Sequence, residues 1–235
     1  MFNYTRIVIF AFILIVLPPF LYSTIINIPA DYATIQAGID AAVSTDTVLV
    51  QPGTYVENIN FSSSHITLGS LFLTTQNPSY VSSTIIDGNA SGSVVSIVNA
   101  SYIVLCGFTI TNGSATDGGG FYCKSAGVNL ENMIITDNTA TDYGGGIFCY
   151  ESYLISENVT IINNSATIRG GGISLYEYIY ESTVRMYNTT ISNNDASNGG
   201  GAHSDYYTDL YLYDSTISEN SAVNGGGVYF QGEDF

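Results

Sequence analysis

A run of three glycines returns five times in the second half of the chain, at residues 118–120, 144–146, 170–172, 199–201 and 225–227. Successive runs start 26, 26, 29 and 26 residues apart. Self-similarity at this period marks a solenoid, in which each repeat is one turn and buries its apolar side only against its neighbours.

The rest of the unit is equally regular. An isoleucine stands upstream of each run: Ile110, Ile135, Ile161, Ile191 and Ile217. Three residues on come Asn138, Asn164, Asn194 and Asn220, with Gly113 in that place in the first unit, and then Ala115, Ala140, Ala166, Ala196 and Ala222. After the glycines the residues alternate. Phe121, Ile147, Ile173, Ala202 and Val228 come first, and Cys123, Cys149, Leu175, Ser204 and Phe230 third. Between them lies a mixed outward set, Tyr122, Phe148, Ser174, His203 and Tyr229. A period of two is the signature of a strand. A second strand precedes each isoleucine, with Ile103, Val128, Leu154, Val184 and Leu210 facing inward.

Each unit is therefore two or three short strands joined by polar turns, with no helical crossover. The fold expected is all-β, a parallel β-helix whose coils stack at about 4.8 Å. The crossover rule predicts a right-handed coil. Glycine at each corner supplies a positive φ or an absent Cβ. The alanines are expected in a narrow corner, and the asparagines in an amide ladder along the stack.

Residues 1–23 read as a secretory signal peptide. Arg6 is the positive residue, 7–17 the apolar core, and Pro18 and Pro19 end it before a membrane span is reached, with cleavage expected near Ser23 and an uncleaved membrane anchor as the alternative. Residues 24–70 form a cap and first coil. A helix is expected over 32–44, N-capped by Asp31, with Ile35, Ile39, Ala42 and Val43 on its apolar side. It would cover the open end of the stack. Strands are expected over 46–50, 54–61 and 65–68, and then over 84–89, 94–98 and 103–110. Residues 71–83 read as a surface excursion and 176–183 as a longer loop. The coils run through 71–235, with the five glycine units in 103–235. The chain stops just after the fifth unit without a capping segment, so the stack is expected to be truncated there.

Three stretches carry a resemblance to known proteins. IPADYATIQAGIDAAV (28–43), DTVLV (46–50) and PGTYVENI (52–59) resemble the opening of pectin-lyase-like β-helix proteins. The pairing of Ile135–x–x–Asn138 with Gly144–Gly–Gly–Ile147, and its counterpart at 161–173, resembles the repeats of chlamydial-type polymorphic outer-membrane proteins. That family has Phe for Ile and Gly–Gly–Ala–Ile for Gly–Gly–Gly–Ile, so the kinship is one of repeat type.

The resemblance implies where enzymes of this fold would carry their chemistry. A lyase site needs calcium-binding carboxylates and an arginine base, but past the leader the chain has only Lys124, Arg169 and Arg185 as basic residues. Arg169 abuts a glycine corner and Arg185 faces outward, neither with an evident partner set. Carboxylates do stack. Glu131 and Glu157 share one position in neighbouring units, and Glu151 and Glu177 share another. Carboxylates one coil apart raise a pKa, bind a cation or splay into water, and the spacing also suits a retaining glycosidase pair. No cofactor is expected, with calcium at these carboxylates as the alternative. No residue is assigned as catalytic, cofactor-binding or metal-ligating.

The formal net charge of −16 argues against nucleic acid and anionic membrane surfaces as partners. Nineteen tyrosines, clustered within 143–187 and 206–213, suit contact with carbohydrate or with a host or cell-surface protein, or outward ladders that brace the strands. His65 and His203 lie too far apart in coil order to act together. Cys123 and Cys149 share an inward position one coil apart, where either a disulfide or a thiol column fits. Cys106 makes the count odd, which argues against a disulfide framework. Sequons such as those at Asn99 and Asn188 are expected by chance. The chain reads as a secreted or cell-surface, non-catalytic adhesion or display protein. The alternative is a polysaccharide lyase or hydrolase relative.

Overall fold

The computed structural model describes residues 23–178 and 182–231. The leader read at 1–23 lies outside these residues except for Ser23, as do 179–181 of the expected loop and the last four residues of the chain. Among the described residues the strands form four sheets of eight, seven, five and seven strands, and every strand pairing is parallel. The chain is a parallel β-solenoid.

From Ile103 onward one coil visits the sheets in a fixed order. The first sheet carries Ile103–Cys106, Gly127–Glu131, Tyr153–Glu157, Ser182–Tyr187 and Thr208–Tyr213. The second holds the isoleucine strands, from Thr109–Thr111 to Thr216–Ser218. The third, absent from the earlier coils, begins with Ser114–Asp117 and Thr139–Tyr143. The fourth follows the glycines, from Phe121–Lys124 to Val228–Phe230. Each full repeat thus has four strands rather than the two or three expected.

Registers are as the columns demand. Ile110, Ile135, Ile161, Ile191 and Ile217 pair one above another. The first four are fully buried. Burying each such side chain stabilises the fold by about 1.5–3 kcal/mol. Two inward polar residues of the first and fourth sheets are satisfied locally, whereas the buried Thr84 hydroxyl has no partner among the described residues. Ser156 shares a 3.0 Å hydrogen bond with Thr189, and Ser204 shares one of 2.7 Å with Thr208.

The asparagine ladder is present. Asn138 donates its side-chain amide to Asn164, Asn164 to Asn194, and Asn194 to Asn220, each at 3.0 Å. The same amides reach the isoleucine carbonyls of Ile110, Ile135, Ile161 and Ile191. Their oxygens also take the backbone N–H groups of Gly113, Asn138, Asn164 and Asn194. The residue before each asparagine, Asp137, Asn163, Asn193 or Glu219, is left-handed, with φ of 54 to 58°. That turn aims the following amide into the stack.

The glycines are corners of a different kind from a simple bend. The first of each run has φ between +62° and +65°. At the second, the backbone returning from the third sheet passes so close that a Cβ on Gly145 would meet the carbonyl oxygens of Ser165 and Gly171. Each unit therefore goes out along the third sheet and comes straight back through the glycines, making a thin lip on the coil. The alanines do not point into a corner of the main core. Ala140, Ala166 and Ala196 form their own buried strip within the lip.

The opening end differs from expectation in detail. A strand, Ile25–Ile28, precedes the helix and starts the first sheet. The helix is shorter than expected, Ile35–Ala41, and Thr34 caps it by accepting from the Ala37 N–H. Asp31 instead accepts from the Asn27 backbone at 2.7 Å, closing the preceding turn. The helix's first free N–H groups, on Ile35 and Gln36, go to the Glu57 carboxylate at 2.9 and 3.0 Å. A negative group there also complements the helix dipole. Ile35, Ile39 and Ala42 are buried, whereas Val43 is exposed. The run expected as one strand over 54–61 splits into Gly53–Val56 and Ile59–Phe61, on two different sheets. The excursion over 71–83 contains two short helices, Phe72–Thr75 and Ser79–Ser83.

Candidate functional site

Alternation along the fourth sheet sends Tyr122, Phe148, Ser174, His203 and Tyr229 outward, yet Phe148, Ser174 and His203 are buried. The lip is the reason. Its returning edge carries Asp117, Tyr143, Arg169, Asn198 and Asn224 in consecutive register, and this row lies over the outward row. Tyr143 stacks on Phe148 with centroids 6.1 Å apart and on Tyr176 at 6.2 Å. Arg169, for which the sequence shows no partner, lies 5.5 Å over the Tyr143 ring and pairs with Asp205 at 3.2 Å.

Between these groups opens a groove of about 250 Å³, walled by Tyr143, Arg169, Tyr176, Glu177, Asp205 and Tyr206. His203 lies beneath it, fully buried and stacked on Tyr229 at 5.7 Å. Neither of its ring nitrogens has a hydrogen bond of good geometry. Burial, reinforced by the Arg169 charge, lowers its pKa to about 4, against a smaller opposing pull from Gln231. It is a neutral imidazole at physiological pH.

The stacked carboxylates fall into two places. Glu131 and Glu157 are register partners on the first sheet. Burial, and secondarily the Glu157 charge, raises the Glu131 pKa. Glu131 also pairs with Cys106, whose thiol burial and the Glu131 charge push up to about 12. Glu151 and Glu177 follow the paired Tyr150 and Tyr176, and Glu177 lines the groove with Arg169. The structure thus brings Glu177 together with Arg169 and Asp205, and leaves Glu131 and Glu157 on another face. Among the described residues no group of three or more His, Cys, Asp or Glu is arranged to hold a metal ion. Cys106, Cys123 and Cys149 are buried free thiols, with Cys123 directly over Cys149.

All three basic side chains of the described residues sit against tyrosine. Lys124 lies 5.2 Å over Tyr150, which stacks on Tyr176 at 5.8 Å. Arg185 lies between Tyr153, at 5.2 Å, and Tyr211, at 5.0 Å, and donates to the Tyr153 hydroxyl at 2.8 Å. Tyr187 stacks on Tyr213 at 4.8 Å. The exterior is therefore ribbed with aromatic and cation–aromatic columns. The tyrosine clusters signal these columns in the sequence. The pairing of Arg169 with Asp205 carries no such signal, because Asp205 shares its place in the coil with Lys124, Tyr150, Tyr176 and Gln231, and no other residue there is a carboxylate.

A repetitive parallel β-solenoid with an aromatic exterior is the class of protein that this geometry defines. Two stretches, residues 132–150 and 158–176, match the Chlamydia polymorphic membrane protein repeat. Each begins at or just beside a left-handed turn asparagine, Asn132 or Asn158, and runs through the ladder asparagine and the glycines to the end of the fourth-sheet strand. No curated protein matches the chain. The likeness to pectin-lyase-like proteins rests on the fold alone.

Proposed function

We propose that the chain is a surface-displayed β-solenoid that mediates adhesion and carries out no catalysis. The observation that carries this reading is the match of two consecutive coils to a repeat type found in polymorphic membrane proteins. The exterior supports it. Rigid tyrosine columns offer large contact area at little entropic cost, and such side chains dominate recognition surfaces. In this reading the coil is right-handed, the leader directs secretion, and the solenoid stands at the outer membrane or cell surface. No helix among the described residues is long and apolar enough to cross a membrane.

The test is adherence. Beads coated with the full chain are expected to bind cultured cells, and soluble chain to compete. Acidic polysaccharides incubated with the chain and calcium are expected to release no unsaturated or reducing ends. Beads that fail to adhere, or polysaccharides that are cleaved, would sink the reading.

A further inference from the structure

An aromatic rib runs along the end of the fourth sheet and then stops. Lys124, Tyr150 and Tyr176 are register partners there. Leu175 pairs with Ser204, and Ser204 with Phe230, so Asp205 and Gln231 continue the column. Tyr176 stacks on Tyr150 at 5.8 Å and on Tyr143 at 6.2 Å, and both of these rings come from the preceding coil. The next coil brings no ring to the column. It brings Asp205, a short side chain drawn onto Arg169 at 3.2 Å. The groove of about 250 Å³ lies at this break, with Tyr176, Asp205, Tyr206 and Gln231 among its walls.

The polar groups at the break are held in place. The Asp205 side chain is only 9% exposed, against 23% for Arg169. One Asp205 oxygen accepts from the Arg169 guanidinium, and the other from the Tyr206 backbone N–H at 3.0 Å. A carboxylate oxygen that accepts one hydrogen bond can accept another. The guanidinium is also fixed from its other side, 5.5 Å over the Tyr143 ring. Gln231 adds an amide, which both donates and accepts. Donors and acceptors therefore stand beside a tyrosine ring, and the packing sets their positions.

We infer that this groove binds one neutral sugar unit of a glycan, its apolar face against Tyr176 and its hydroxyls on Arg169, Asp205 and Gln231. Charge excludes the anionic ligands. Asp205 and Glu177 outweigh Arg169 in the groove, and the chain's net charge of −16 repels an acidic sugar or a phosphate. Occupancy disfavours the cationic ones. A basic side chain would need the Tyr143 face and the Asp205 carboxylate, which Arg169 already holds. A hydroxyl suits both members of that ion pair, because it donates to a carboxylate and accepts from a guanidinium. The groove is smaller than the roughly 300–1,000 Å³ of pockets that enclose a drug-sized ligand, so it takes one ring and leaves the rest of the glycan in solvent. The inference deepens the adhesion reading by naming a ligand class, and rests on it only for the setting in which that ligand is met.

The test is titration calorimetry of the full chain with maltohexaose, cellohexaose and mannohexaose. Hexagalacturonate and spermidine serve as the acidic and cationic contrasts. At least one neutral hexasaccharide is expected to bind, and both contrasts to bind at least tenfold more weakly. Tyr176→Ala and Arg169→Lys are each expected to weaken binding at least tenfold. Arg169→Lys keeps a positive charge beside Asp205 and loses only the planar fork. Tyr206→Ala is the variant least able to disturb the fold, since Tyr206 holds Asp205 through its backbone N–H, and it too is expected to weaken binding. Tyr187→Ala, in the tyrosine rib of the first sheet, is expected to bind like the parent. Melting temperatures show which variants are folded. The proposal is overturned if no neutral hexasaccharide binds, if hexagalacturonate or spermidine binds as tightly, or if folded Tyr176→Ala and Tyr206→Ala bind like the parent. Oligosaccharide binding without bead adherence supports the groove and refutes adhesion. Adherence without oligosaccharide binding does the reverse.

Discussion

At the scale of single residues, the fold depends on groups that have no freedom to be anything else. Asn164 makes hydrogen bonds to the coils on both sides of it, and its replacement by alanine strands buried donors and acceptors in both. Each stranded group costs about 1–3 kcal/mol. Asn164→Ala is expected to lower the unfolding free energy by roughly 2–4 kcal/mol, read from the denaturant midpoint at constant slope. The glycines divide in the same experiment. Gly145→Ala drives a methyl group into the Ser165 and Gly171 carbonyls and is expected to be strongly destabilising, whereas Gly127→Ala meets only ordinary contacts and is expected to be nearly silent. Equal effects at the two positions would show that the lip does not fold back on the glycines.

His203 gives a pH dependence with a definite sign. Its folded pKa, about 4, lies below its ordinary value of 6.5. The unfolded chain therefore binds the proton first as pH falls. The stability associated with the neutral ring is complete above pH 6.5 and is lost progressively between pH 6.5 and 4. His203→Phe is expected to flatten the fall in melting temperature across that window. A profile identical to the parent's would mean that the ring is solvated.

At the scale of elements, the opening helix is held as much by the next coil as by its own sequence. Glu57 accepts two N–H groups at its N-terminus, and Glu57→Ala is expected to cost about 1–2 kcal/mol in a chemical denaturation curve. An unchanged midpoint would remove Glu57 from the cap. This dependence explains why Asp31 is misleading as a cap in the sequence. Asp31 is taken up by the turn at Asn27, and the start at Thr34 is favoured by its own hydroxyl cap together with the carboxylate arriving from a later coil. The columns of isoleucine, asparagine and alternating apolar residues are legible because each recurs at one place in every coil. The third sheet is not. Its strands are short and polar, and what defines them is the return of the backbone through the glycines. For the same reason the burial of His203 and the partner of Arg169 are invisible in the alternation, since both depend on the lip lying over the fourth sheet.

At the scale of the molecule, one rule generates every column: parallel neighbours in strict register, one coil apart. The ladder, the thiol pair and the tyrosine ribs all follow from it. Ile134 and Thr160 are register partners on the outside of the second sheet, and Thr190 is the next residue along that column. Adjacent coils, at about 4.8 Å, fall within the Cα range of a disulfide, and coils two apart do not. The direct measurement is mild oxidation of two paired-cysteine variants with the native cysteines left buried and reduced. Ile134→Cys with Thr160→Cys is expected to close an internal disulfide quantitatively, while Ile134→Cys with Thr190→Cys is expected to remain reduced. Closure of the second pair, or failure of the first, would contradict the in-register stack.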